Sequence, residues 1–72
     1  MPTYIFFRDR AWYPVEIEND VVAKKHIALN PGTLHVVCVE PGHARAVWTA
    51  DSPMGKAREQ QAKLGLHQGN SH

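Results

Sequence analysis

The side chains of this chain that are best suited to chemistry are its one cysteine and its five histidines. Cys38 follows His35 by three residues and precedes His43 by five, a spacing that resembles a set of metal ligands. Residues three apart on a β-strand point to opposite faces, however, and the set lacks a fourth ligand. The sequence therefore predicts no metal site and no cofactor, and it favours Cys38 as a small buried apolar residue.

Acid–base catalysis is the other chemistry that the histidines and carboxylates suggest. The seven acidic residues accompany no glycine-rich phosphate loop, no nucleophile elbow and no paired-carboxylate spacing. A chain of 72 residues with one well-defined helix also leaves little room for a substrate pocket. We therefore expect a protein that is not an enzyme and that has no catalytic residues.

Basic side chains suggest contact with nucleic-acid phosphates. Arg8, Arg10 and Arg45 would form a cluster if the loop after the first strand lay near the last hairpin, with Trp12 as a stacking surface. The C-terminal segment adds further cations, which are Lys56, Arg58 and Lys63. Against this, eight basic residues nearly balance seven acidic ones, which is typical of an ordinary solvated surface. A small nucleic-acid-binding accessory protein is therefore the alternative prediction.

Four predicted strands and two predicted helices position these side chains. The strands are predicted at residues 3–7, 11–18, 33–40 and 44–50, and the helices at residues 21–29 and 53–64. Asn19 and Asp20 provide an N-cap for the first helix, and Pro31 and Gly32 end it. Pro14 lacks a backbone donor, so the second strand belongs at a sheet edge or carries a bulge.

This order predicts an α+β fold, ββαββ, with a single, mainly antiparallel four-stranded sheet and one helix packed on one face. Residues 1–50 are expected to form the compact domain, 51–66 a C-terminal segment with a marginal helix, and 67–72 a disordered tail. The strand over 33–40 is predicted to be central.

The order of elements resembles that of small proteins of mobile genetic elements. The features that carry this resemblance are a short hairpin, a capped helix ending in Asn-Pro-Gly-Thr, and a second hairpin ending in Trp48. That resemblance implies no site residues.

Two of the predicted strands are apolar on both of their faces. Val37 and Val39 lie opposite Val36, and Tyr4 and Phe6 likewise lie opposite the apolar residues that alternate with them. A half-solvated sheet should alternate between apolar and polar residues. The first helix can cover only one face, so a second copy, a partner protein or the C-terminal segment must cover the other.

We therefore expect a small non-enzymatic protein-binding, adaptor or regulatory protein that forms a homodimer through an apolar sheet face or a paired edge. The identity of its protein partner does not follow from the sequence. The predicted contact residues are Tyr4, Phe6, Trp12, Val37, Val39 and Trp48. Simple alternation places Trp48 on the face of Ala46, and a cross-strand contact between the two tryptophans inside one chain is the alternative to an interface.

The cellular location is the last expectation. No apolar run approaches the roughly 20 residues of a membrane span, and the N-terminus has neither the basic nor the apolar region of a signal peptide. A single cysteine suits a reducing compartment. We expect a soluble cytoplasmic protein with no membrane partner.

Overall fold

The structure, a computed structural model, describes residues 1–68. Its elements are β1 (Thr3–Phe7), β2 (Trp12–Glu16), α1 (Asp20–Leu29), β3 (His35–Glu40), β4 (His43–Thr49) and α2 (Pro53–Gln68). The four strands form one antiparallel sheet in the order β2-β1-β3-β4. The predicted α+β fold, the central place of β3 and the edge position of β2 are thus confirmed.

Helix α1 packs on one side of the sheet, which we call the front face. The side chain of Asn19 caps the helix by accepting a hydrogen bond from the Val22 N–H at 3.0 Å. The helix ends where the Asn30 N–H donates to the Ile27 carbonyl at 3.1 Å, just before Pro31. The buried core between α1 and the sheet consists of Tyr4, Phe6, Ile17, Ala23, Val36 and Cys38.

Strand β4 departs from the alternation that its sequence predicts. Ala46 lies opposite Val37, but Trp48 lies opposite Val36, because a bulge interrupts the register between these two pairs. A bulge adds one residue to one strand, and here that residue is Val47. Side chains after the bulge therefore change face. Trp48 packs against the front-face core instead of sharing a face with Ala46, so that prediction was wrong.

Helix α2 packs against β3 and β4 on the opposite side of the sheet, which we call the back face. The Ser52 hydroxyl caps it by accepting from the Gly55 N–H at 3.1 Å. The Arg58 side chain donates to the Arg8 carbonyl at 2.8 Å and to the Asp9 carbonyl, which ties α2 to the β1–β2 loop. The helix continues to Gln68, past its predicted end, and the rest of the predicted disordered tail, 69–72, lies outside the described residues.

Helix α2 thus covers part of the back face, the second apolar face for which the sequence did not show which segment packs on it. Val37, His35 and Ala62 are all buried there. Trp12 on β2 and Val39 near the far end of β3 stay exposed outside this cover. Within residues 1–68, no helix combines the length and the apolar composition needed to cross a membrane.

Candidate interaction site

Four of the predicted contact residues are buried or partly buried within the chain. Tyr4 and Phe6 are each 1% exposed beneath α1, and Val37 is 3% exposed beneath α2. Trp48 is half-buried against the front-face core. Tyr4, Phe6 and Val37 could reach a partner only if the fold opened, and Trp48 keeps only part of its surface exposed. The sequence could not reveal this, because a strand that is apolar on both faces does not show which face its own helices cover.

The remaining two predicted contact residues are exposed on the back face. Trp12 is 61% exposed and Val39 is 42% exposed. Pro14 and Ala46 are also exposed, and the strand register places them on the same face. We call Trp12, Pro14, Val39 and Ala46 the open back face. Ile5 is half-buried and pairs with both Pro14 and the buried Val37. It therefore lies between the open back face and the residues beneath α2.

The β2 edge of the sheet is blocked at its midpoint. The Arg8 N–H donates to the Ala11 carbonyl at 2.7 Å, and the Ile17 N–H donates to the Pro2 carbonyl at 3.1 Å. Hydrogen-bonded and non-hydrogen-bonded pairs alternate in an antiparallel ladder, so the pair of Pro14 with Ile5 is not hydrogen-bonded. The backbone groups of Pro14 therefore point away from β1. Proline has no N–H, so an approaching strand would find no donor there.

The β4 edge is not blocked in this way. The Ala50 N–H donates to the Leu34 carbonyl at 2.8 Å, and alternation along β3 directs the backbone groups of Arg45 inward, toward β3. The N–H and C=O groups of Ala44 and Ala46 therefore point outward. This edge has backbone donors and acceptors available to another strand.

A polar network lies beside β4, at the end of the sheet that holds the β3–β4 turn. The Tyr4 hydroxyl donates to Asp20 Oδ1 at 2.6 Å, and the Arg45 guanidinium donates to both oxygens of that carboxylate at 2.8 and 3.1 Å. Glu40 lies 3.5 Å from Arg45 Nε and 2.9 Å from His43 Nε2. This network joins α1 to β4, because Asp20 begins the helix and Arg45 lies on the strand.

The network changes the acidity of its members. The hydrogen bonds from Arg45 and Tyr4 lower the pKa of Asp20 to about 2. Burial and the hydrogen bond to Asp20 raise the pKa of Tyr4 to about 12. The same pairing raises the pKa of Arg45. At neutral pH the carboxylate and the guanidinium are therefore both charged and face each other, which leaves Arg45 engaged within its own chain.

The structure does not gather the predicted nucleic-acid contacts into one cluster. Arg45 lies opposite Cys38 of β3. The loop that carries Arg8 and Arg10 begins beside His35 of β3, and His35 and Cys38 are three residues, or roughly 10 Å, apart along that strand. The Arg8 side chain donates to the Pro31 carbonyl at 3.0 Å. Arg58 holds the β1–β2 loop, Lys63 lies 4.0 Å from Glu59, and Lys56 is exposed.

The histidine and cysteine that resembled metal ligands lie on opposite faces of β3. His35 is on the back face, where Nδ1 lies 2.8 Å from the Thr49 hydroxyl. Cys38 is on the front face beside Tyr4, its partner in β1. In the described part of the chain, no three histidine, cysteine or acidic side chains are grouped as metal ligands would be.

Compared with protein-family models, curated proteins and solved structures, the chain matches none of them. The functional argument therefore depends on the surfaces of the chain itself.

Proposed function

We propose that this chain is a small non-enzymatic binding protein that acts as a homodimer and presents a surface to a further protein. The single observation that carries the proposal is the open back face, where Trp12 and Val39 remain exposed although α2 covers the neighbouring strand residues. Tryptophan is among the residues that contribute most often to binding energy at protein interfaces.

The energetics of a small domain support self-association. A chain of 72 residues buries only about 60% of its unfolded surface, and such domains often gain stability from a second copy. Burying a side chain the size of valine contributes roughly 1.5–3 kcal/mol. Exposed apolar residues on the back face are therefore a source of stabilisation that one chain leaves unused.

The predicted setting is part of the same proposal. Cys38 is free and buried, which suits the reducing cytoplasm. An origin in a mobile genetic element would fit a regulator or inhibitor of a larger protein. The alternative function, nucleic-acid binding, would depend on the exposed Arg10 and Lys56, because Arg8, Arg45 and Arg58 make contacts within the chain. A titration with single- and double-stranded nucleic acid at low salt tests that alternative.

Val39→Lys tests the self-association, because Val39 borders both the open back face and strand β4, where it pairs with Ala44. We expect this variant to raise the dimer dissociation constant at least about tenfold, since the lysine would lie beside Ala44 and would lose hydration to a second copy that contacts either the open back face or β4. Leu29→Lys is the matched control, because Leu29 is 79% exposed on α1, which lies on the other side of the sheet.

Analytical ultracentrifugation of the two variants and the parent chain gives the three dissociation constants. Circular dichroism at a concentration where each chain is monomeric shows whether both variants remain folded. A parent chain that stays monomeric, or a control that dissociates as readily as Val39→Lys, would contradict the proposal.

A further inference from the structure

The unequal edges of the sheet indicate how two copies would meet. We infer that a second copy of this chain docks on strand β4, antiparallel to it and related by a twofold axis, so that one sheet continues through both copies. This inference rests on the proposed self-association and adds its docking surface. An antiparallel pair of identical strands is self-complementary, as a twofold dimer requires.

The backbone of β4 provides matching donors and acceptors. We place the twofold axis at Arg45. The N–H and C=O of Ala44 then face the C=O and N–H of Ala46 in the second copy, and the twofold symmetry gives the same pair of hydrogen bonds between Ala46 and Ala44 of the second copy. Both residues have small side chains that leave room for the approaching strand. The bulge at Val47 ends the regular stretch and limits the pairing to the first part of β4.

The other edge cannot offer this contact. On β2, Pro14 occupies the middle of the outward-facing positions and has no N–H to donate. Edge prolines of this kind prevent pairing between sheets. With one blocked edge and one open edge, pairing between copies ends at a dimer, because a third copy would find only the blocked β2 edges.

The charges near the axis allow the contact. Arg45 would lie across the axis from Arg45 of the second copy, and like charges directly opposite each other normally destabilise a strand pair. Each Arg45, however, is held by both oxygens of Asp20 at 2.8 and 3.1 Å, and Glu40 lies 3.5 Å from its Nε. The acidic side chains neutralise the two guanidinium groups before the strands meet.

Pairing through β4 leaves Trp12 free for a different protein. Trp12 lies on β2, three strand spacings or roughly 14 Å from β4. The dimer would therefore carry two Trp12 side chains at the outer ends of its continuous sheet. That arrangement suits an adaptor, because each copy keeps its exposed tryptophan after self-association.

Amide hydrogen exchange, measured by NMR at low and high protein concentration, tests the docking surface directly. The Arg45 N–H points toward β3 and should exchange slowly at both concentrations. The N–H groups of Ala44 and Ala46 should exchange rapidly in the monomer and slowly in the dimer. A contact between sheet faces would leave these two amides exchanging rapidly at every concentration.

Two variants complete the experiment. Ala46→Pro removes an outward donor and should abolish the dimer, whereas Ala46→Val keeps the donor and should retain it. Trp12→Lys should leave the dimer mass unchanged, because Trp12 lies far from β4. If Ala46→Pro does not fold, the exchange data on the parent chain decide the question.

The possible failures are distinguishable. A dimer in which the Ala44 and Ala46 amides still exchange rapidly, or which Trp12→Lys dissociates, would overturn the inference and leave the proposed self-association standing. A parent chain that is monomeric at all concentrations would overturn both.

Discussion

At the scale of single residues, His35 is a titratable side chain held almost entirely away from solvent. It is 1% exposed, and its Nδ1 lies 2.8 Å from the Thr49 hydroxyl. Burial lowers the pKa of His35, with a smaller contribution from Lys63 on α2. Glu59 of the same helix and the Trp48 backbone act in the opposite direction. The imidazole is therefore neutral at pH 7, where it packs between the sheet and α2.

This environment predicts that acid weakens the fold. Below the ordinary histidine pKa of about 6.5, the unfolded chain binds a proton at His35 and the folded chain resists binding it. Because the unfolded state then binds more protons, the free energy of unfolding should fall as the pH decreases through this range. Urea unfolding between pH 7 and pH 5 measures the effect.

The matched variants separate His35 from the other histidines. His35→Gln removes the titration and should flatten the fall in stability, even if the variant is less stable at pH 7. His43→Gln should retain the fall, because His43 is exposed in the β3–β4 turn region beside Glu40. Parallel curves for the parent chain and His35→Gln would show that His35 does not cause the acid sensitivity.

At the scale of elements, the first turn of α2 depends on a glycine. A Cβ added at Gly55 would lie 2.3 Å from the Ala50 carbonyl oxygen, a backbone atom that cannot move aside alone. Gly55→Ala should therefore shift α2 and reduce the free energy of unfolding by about 1–3 kcal/mol, despite a helix-propensity gain of about 1 kcal/mol.

Thermal or urea unfolding of Gly55→Ala measures this cost. Lys56→Ala is its control, because Lys56 is exposed on the same turn and its removal should change stability by no more than about 0.5 kcal/mol. A Gly55→Ala variant that is as stable as the parent chain, or more stable, would contradict the close approach of α2 to Ala50.

Much of the element order follows from local sequence signals. Asn19 caps α1, and Pro14 marks β2 as an edge strand, because both act through their own backbone surroundings. The bulge at Val47 could not be predicted, since Ala46 and Val47 carry no local signal that distinguishes a bulge from regular alternation. The position of α2 was also hidden, because it depends on the close approach of Gly55 and on contacts between Arg58 and carbonyls distant in sequence.

At the scale of the whole molecule, the sequence predicted an apolar surplus, and the structure shows how it is distributed. Tyr4 and Phe6 are covered by α1 and Val37 by α2, while Trp12 and Val39 stay exposed. Strand alternation indicates that both faces of the sheet are apolar. It does not indicate which residues α1 and α2 will bury, because that depends on tertiary packing. For the same reason, alternation could not show that Arg45 lies near one end of the sheet and the loop with Arg8 and Arg10 near the other.

Self-association is tested by the mass of the parent chain in solution, measured by sedimentation over a wide range of concentrations near pH 7. We expect the mass to rise from that of one chain, 8.1 kDa, to twice that value and no further. A particle that remains at 8.1 kDa at every concentration would contradict self-association.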